Sequence, residues 1–152
     1  MGEDGRTTSA DEMLTAVRGM QGVGFGGAVG IEYQEVSPDR VSVRVPVTER
    51  LLQPYGIVHG GVYCAIAEEV ASIAGAVWLG ERGHVVGVNN STDFLRAIRE
   101  GVVTAVGTPV HRGRTQQLWR VEMTDEDGRL LAVGQVRLAN IAPPAGGGAA
   151  GA

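Results

Sequence analysis

The sequence predicts an α+β fold in which an antiparallel sheet is wrapped around one long helix. Three observations predict it. Residues 62–79 form a long, nearly uncharged stretch ended by Gly80, interrupted only by the adjacent acids Glu68 and Glu69. Val41, Val43, Val45 and Val47 alternate with Arg40, Ser42 and Arg44, the period of a strand with one packed face and one wetter face. Two strand-like runs precede the helix, and four follow it between turn signals. A helix without a polar face cannot lie on the outside of a sheet. It must be enclosed by the sheet and covered elsewhere by a partner.

The elements follow in order. Residues 1–20 form an N-terminal segment whose first ten residues read as disordered. Ser9, with Glu12 three residues later, is a capping-box signal for a short helix with Met13, Leu14 and Val17 on its apolar side. Residues 22–27 spell GxGxxG, but no strand precedes them and strand-like alternation follows, so the stretch reads as a flexible turn. Residues 29–36 and 40–47 form a hairpin about Ser37-Pro38-Asp39. A loop over 48–58 holds Gln53, Pro54 and Gly56. Beyond the helix, strands are expected at 85–95, 102–111, 116–124 and 130–140. The domain proper spans 21–141, and 142–152, which is only Pro, Gly and Ala, reads as a disordered tail.

Composition narrows the function. The 152 residues fit one domain, and a hydrophobic content of 43% supplies a core. A net charge of −4 with no basic run argues against nucleic acid as a partner. All 13 basic residues are Arg, which we read as coding bias. One cysteine, Cys64, allows no intramolecular disulfide and reads as a buried, inert thiol. The N-terminus has no apolar signal segment, and no uninterrupted apolar run reaches the ~18 residues of a membrane span. A soluble, cytoplasmic protein without a membrane partner is expected. His84 and His111 are isolated, and Glu68 and Glu69 diverge on a helix, so no metal site is expected.

The chemistry concentrates between His59 and Ser72. Gly60 and Gly61 open the helix, where backbone N–H groups are free to meet a ligand oxygen. Glu68 follows nine residues after His59. An acid on an apolar helix is costly to bury unless it has a partner or a task. At about 100° per residue, Val62, Ile66, Val70, Ile73 and Val77 share one side, expected against the sheet. Cys64, Ala65, Glu68, Ala71, Ser72 and Gly75 share a small-residue side that lets a backbone or ligand approach. Ser72, one turn beyond Glu68, is expected to hydrogen-bond its carboxylate. Glu69 is the rival acid, expected to make a buried or rim contact with an Arg. His59 reads as a hydrogen-bonder that orients the loop. The pattern suggests acyl transfer, with amide donors for an oxyanion and a carboxylate that attacks or activates water.

These residues closely resemble the hotdog-fold acyl-CoA thioesterases of the phenylacetate-pathway, or PaaI-like, group, and most closely the Arthrobacter-type 4-hydroxybenzoyl-CoA thioesterases. The likeness covers about residues 24–141, and its specific part runs from Gln53 through His59-Gly60-Gly61 to Glu68 and Ser72. It implies a five- or six-stranded antiparallel sheet around a central helix, active sites at the interface of a homodimer, and a homotetramer built from two dimers. It also implies hydrolysis of an acyl-CoA with no cofactor beyond the CoA of the substrate. Carried across, Glu68 is the catalytic carboxylate, Gly60 supplies the N–H that polarises the thioester carbonyl, and Gln53 positions substrate or water, with His59 and Ser72 beside them. Gly61, Asn90, Arg96, Arg114 and Thr115 are the substrate- and CoA-binding candidates, Arg96 for a phosphate. Arg99 and Arg112 lie in the same half of the chain. The relatives have a small Ser where Arg114 stands, and their basic C-terminal end is replaced here by Ala142-Pro143-Pro144 and glycines. Three other readings compete: a non-catalytic acyl-CoA sensor, a hotdog hydratase or dehydratase, and an interaction protein. A sensor has no need of Glu68, no Asp-x4-His pattern lies near the helix, and dimerisation alone leaves the acid unexplained.

Overall fold

The computed structural model describes residues 8–143. The expectations of disorder at 1–7 and 144–152 lie outside them. Helix α1, Ala10–Arg18, begins within the stretch expected to be disordered, because the capping box forms: Ser9 Oγ accepts the Glu12 N–H at 3.2 Å and Glu12 Oε2 accepts the Ser9 N–H at 2.8 Å. Val17 is buried, and Arg18 donates to the Tyr33 carbonyl at 3.0 and 3.1 Å, which fastens α1 to strand β1, Glu32–Val36.

The glycine-rich stretch at 22–27 is not a flexible turn. It leads into helix α2, Gly24–Val29, closed by Gly30 in the left-handed region at φ 83°. Gly22 and Gly24 stand in the left-handed region at φ 82° and 64°, whereas Gly26 and Gly27 serve packing. A Cβ at Gly27 would collide with the Gly22 backbone, and one at Gly26 would lie 2.8 Å from Glu69 Oε1. The strand over 29–36 consequently starts only at Glu32, since Val29 belongs to α2.

Strand β2, Val41–Pro46, completes the hairpin, and Val41, Val43 and Val45 are fully buried as the alternation requires. Helix α3, Gly60–Leu79, is followed by strands β3, His84–Phe94; β4, Val102–Arg112; β5, Gln116–Thr124; and β6, Leu130–Ile141. All six form one antiparallel sheet in the order β1-β2-β4-β5-β6-β3. After α3 the chain crosses to the far edge to lay down β3, then returns to the middle for β4. Both edge strands therefore flank a continuous concave face, and α3 lies in it.

The division of α3 into faces differs from expectation. Tyr63, Ile66, Ala67, Val70, Ala71, Ala74 and Gly75 are buried, while Val62, Ile73 and Val77 are only partly so. Ala71 and Gly75, expected on the ligand-facing side, meet the sheet. The reason is steric. The sheet closes tightly on the helix, and at Gly75 a Cβ would collide with Leu138 Cδ1 and lie 2.9 Å from Gln117 Oε1. Small side chains let α3 settle into the groove with Ile66 and Val70 buried beside them, while Val62, Ile73 and Val77 flank it. Gln117 is fully buried, yet it donates to the Gly75 carbonyl at 3.2 Å and to Asn140 Oδ1 at 2.7 Å and accepts from Trp119 Nε1 at 2.7 Å. Its desolvation is thereby offset. By length and composition alone Gly60–Arg82 could cross a membrane, because the two acids interrupt the apolar run without dominating its mean hydropathy. In the fold its apolar side is taken up by the sheet.

Gly75→Ala tests this close approach. Alanine would favour an isolated helix by up to about 1 kcal/mol, whereas overpacking a filled core costs about 1–3 kcal/mol. Leu138 is fully buried and has little room to yield. A net loss of about 1–2 kcal/mol is expected in urea unfolding.

Candidate functional site

The site residues lie along α3 in three places. At its N-terminus His59 is the cap: its N–H donates to the Leu51 carbonyl at 2.9 Å, and its Nδ1 accepts the Gly61 N–H at 2.9 Å, which puts the ring proton on Nε2. The Gly61 donor is thus occupied. The Gly60 N–H donates to no carbonyl or side chain among the described residues, and it sits at the positive end of a 20-residue helix. A Cβ at Gly60 would lie 2.7 Å from the Phe94 ring, so any side chain there would have to displace that ring.

Gln53 reaches this end through a tight loop. Its N–H donates to the Ile57 carbonyl and its carbonyl accepts the Gly56 N–H, both at 2.8 Å, with Gly56 at φ 77°. Its side-chain Oε1 accepts the Tyr55 N–H at 2.6 Å. Arg99 braces the loop by donating to the carbonyls of Tyr55 and Gly56 at 2.8 and 3.1 Å. Gln53, Gly60, Tyr63 and Arg96 line one cleft of about 290 Å³, with Phe94 and Leu95 at its rim. His59 and Gly61 line a neighbouring groove with Phe25, Leu51 and Leu52.

Glu68 lies half-buried in the middle of α3. Its partner is not Ser72, which makes no hydrogen bond to it, but Asn90 of β3. Asn90 Nδ2 donates to Glu68 Oε2 and to the Cys64 carbonyl, both at 3.0 Å. Thr92 Oγ1 donates to Asn90 Oδ1 at 2.7 Å, which fixes the orientation of the amide. Asn90, a binding candidate in the sequence, is therefore a holder of the acid. Oε1 of Glu68 lies over Gly87, where any side chain would collide with it.

A one-residue irregularity in β3 makes this contact. Its pairing with β6 shifts between Gly87 and Asn89. Before the shift Val85 and Gly87 face α3; after it Asn90, Thr92 and Phe94 do. A bulge moves every later side chain to the opposite face. Without it Asn89 and Ser91 would turn inward and Asn90 would face away. The position of such a bulge has no reliable sequence signal beyond Gly87 itself, so strict alternation could not pair Asn90 with Glu68.

Glu69 has a different neighbourhood. It accepts the Tyr33 hydroxyl at 2.5 Å rather than an Arg, because α2 brings Gly26 against it and β1 supplies the tyrosine. Burial, then the hydrogen bond and charge of Glu69, push the Tyr33 hydroxyl far above the usual tyrosine range. Glu69 is thus committed inside the fold.

Arg114 and Thr115 stand at the other end of α3, in a pocket of about 480 Å³ with Trp78, Arg82, Arg112 and Asn140. The Arg82 guanidinium stacks 4.4 Å from the centre of the Trp78 ring. Asn140 Nδ2 donates to the carbonyls of Gly113 and Arg114 at 2.9 and 3.2 Å, so the buried Gln117 network also shapes this loop. Arg112 is engaged with Asp39 and the Pro38 carbonyl, both at 2.8 Å. Among the described residues, no three His, Cys, Asp or Glu side chains converge as a metal site requires.

Residues 55–132 match the Thioesterase superfamily. The chain is 50% identical over 122 residues to a Mycobacterium tuberculosis protein that carries a provisional esterase name, covering 78% of this chain and 87% of that one. It is 35% identical over 114 residues to the Escherichia coli K12 protein named 1,4-dihydroxy-2-naphthoyl-CoA hydrolase, covering 73% of this chain and 84% of that one. The crystal structure of a Haemophilus influenzae thioesterase matches with a TM-score of 0.79 at 32% identity, covering 90% of this chain and 93% of that one.

The Asn90 contact generates a prediction. A hydrogen bond to a charged group contributes about 1.5–3 kcal/mol. Asn90→Ala is expected to lower kcat for a thioester about 10- to 100-fold, with KM changed less than about threefold. Unchanged kcat in steady-state assays would mean that the contact does not hold the working carboxylate.

Proposed function

The chain belongs to the thioesterase superfamily and has its hotdog fold, and from that premise we propose that it hydrolyses an acyl-CoA thioester to a free carboxylic acid and CoA. The observation that carries this reading is that one helix holds an unpartnered amide at its positive end, Gly60, and a carboxylate turned by Asn90 toward the uncovered edge strand, Glu68.

In this reading the thioester carbonyl points at the Gly60 N–H. The helix end carries about half a positive charge, which favours the negative charge that grows on the carbonyl oxygen. Glu68 removes a proton from water as the water attacks. Alternatively it attacks the carbonyl itself, giving a mixed anhydride that water then cleaves. Either way the carbon–sulfur bond breaks and CoA leaves as the thiol once its sulfur has taken a proton.

The spacing of the two groups favours a site shared with a second subunit. Eight residues at about 1.5 Å each separate Gly60 from Glu68 by about 12 Å along the helix, too far to serve one carbonyl. The pair completes a site when Glu68 of the partner subunit faces Gly60. A homodimer joined along β3 supplies that arrangement: β3 is an edge strand with Val86 and Val88 42% and 49% exposed, an unpaired ladder that invites another strand. Arg96, at the cleft beside Gly60, is the CoA phosphate contact, and the Arg114–Thr115 loop is a second contact for a CoA that crosses the seam. The resemblance of Gln53, His59-Gly60-Gly61, Glu68 and Ser72 to the PaaI-like group, and within it to the Arthrobacter-type enzymes, supports a pairing of such dimers into a tetramer.

The test is free-thiol release from a panel of CoA thioesters by the purified protein. Turnover is expected, with Glu68→Gln reducing kcat about 100- to 10,000-fold and Glu69→Gln leaving it within about threefold, since Glu69 is taken up by Tyr33. Wild-type turnover in Glu68→Gln would remove Glu68 from the mechanism. An absence of thiol from every thioester would remove the hydrolysis reading.

A further inference from the structure

The two ends of the Asn90 amide have different neighbours. Its Nδ2 donates to Glu68 Oε2 and to the Cys64 carbonyl, both at 3.0 Å. Its Oδ1 accepts the Thr92 hydroxyl at 2.7 Å. A carbonyl and a carboxylate only accept, so the nitrogen end has to face α3. Turned over, the amide would set its oxygen against two other oxygens and lose both bonds. At the oxygen end, the Thr92 hydroxyl is the one donor that Oδ1 meets among the described residues.

Strand β3 builds this chain of contacts from alternate residues. After the shift in pairing between Gly87 and Asn89, Asn90 and Thr92 fall two apart on the face toward α3. Thr92 is paired with Gly134 of β6. A Cβ at Gly134 would lie 2.7 Å from Ala67 Cβ and 3.1 Å from Thr92 Oγ1, so glycine there leaves room for both the helix and the hydroxyl. The contacts run in one direction, from hydroxyl to amide oxygen and from amide nitrogen to Glu68 Oε2. Hydrogen bonds in such a chain polarise one another, so the hydroxyl makes the amide a better donor. Ser72 makes no hydrogen bond to the acid, and Thr92 is the hydroxyl that bears on it, at one remove. Oε2 is thereby engaged. Oε1 has no hydrogen-bond partner among the described residues and is left for water or a carbonyl.

We propose that Thr92 is a positioning residue of the hydrolytic site: its hydroxyl orders the Asn90 amide and, through that amide, holds Glu68 in its working rotamer. This rests on the hydrolysis reading above. Thr92 acts through Asn90 and makes no bond to the acid itself. Removing the hydroxyl leaves the half-buried Oδ1 without its donor and the amide free to turn about its last side-chain bond. The chemical step then slows while substrate binding is unaffected. The loss appears only as long as Asn90 is present to transmit it.

The test is a double-mutant cycle in the full-length protein, because only the cycle separates an effect passed through Asn90 from a direct one. Thr92→Val keeps the shape and removes the hydroxyl, and Thr92→Ser keeps the hydroxyl. On the best-cleaved member of a panel of CoA thioesters, Thr92→Val is expected to lower kcat about 3- to 10-fold with KM changed less than about twofold. Thr92→Ser should restore kcat to within about twofold of the wild type. In the Asn90→Ala background, Thr92→Val is expected to change kcat less than about twofold. Wild-type kcat in Thr92→Val overturns the proposal. So does a further loss of about 3- to 10-fold in the double variant, since Thr92 would then act apart from Asn90. Thr92→Ala takes the place of Thr92→Val if valine is not accommodated. A second measurement is independent of turnover. The side-chain amide protons of Asn90, identified in proton–nitrogen NMR spectra by their absence from Asn90→Ala, should exchange with heavy water at least about threefold faster in Thr92→Val than in the wild type. Equal exchange rates overturn the proposal. If no thioester is cleaved, the hydrolysis reading fails separately, and the exchange rates alone decide whether Thr92 orders the amide.

Discussion

A carboxylate on a helix that is otherwise enclosed must be held, and in this protein the hold is the Asn90–Glu68 hydrogen bond. Without a donor, half-buried Glu68 would be free to turn out to water. The amide of Asn90 prevents this, and Thr92 fixes the amide in turn. The bond exists because β3 carries a bulge after Gly87 and because Gly87 has no side chain to obstruct the carboxylate. Backbone irregularity, glycine and acid form one device, and none of its parts is useful without the others.

The same economy governs the ends of the helix. At the start, His59 satisfies the amide of Gly61 and leaves that of Gly60 free, so a single donor is presented to the cleft instead of a diffuse set. Near the far end, Gly75 lets the helix sink against β5 and β6, where buried Gln117 reaches its carbonyl and, through Asn140, the Arg114 loop. Helix and sheet are thus joined by polar contacts at defined heights as well as by apolar packing. That fixes how far α3 can slide or rotate in the groove. A site whose two halves come from separate places on one helix depends on such a fixed setting.

The two adjacent acids illustrate how environment assigns roles. Glu68 and Glu69 have the same chemistry and differ by about 100° around the helix. One faces the open edge of the sheet, the other the wall made by α2 and β1, where Tyr33 occupies it. The GxGxxG stretch is drawn into that second role: its glycine at 26 gives the Glu69 carboxylate room. A pattern associated with nucleotide binding is, in this context, a packing surface for an acid.

Much of this was legible in the sequence. Alternating valines at 41, 43 and 45, the capping box at Ser9 and the long apolar stretch closed by Gly80 gave the strand–strand–helix–four-strand order, because hydrophobic period and capping chemistry are local properties. The spacing from His59 to Glu68 marked the helix start and the acid for the same reason. The tertiary structure decided what depends on distant segments meeting: that β3 occupies the far edge beside β6, that a bulge exchanges which of its residues face the helix, that Asn90 rather than Ser72 serves Glu68, and that Ala71 and Gly75 face the sheet. It also decided that the hydroxyl of Thr92 backs the Asn90 amide. Local patterns record which residues prefer to be helical, extended or buried. Which polar atoms meet is set only when the sheet closes around the helix.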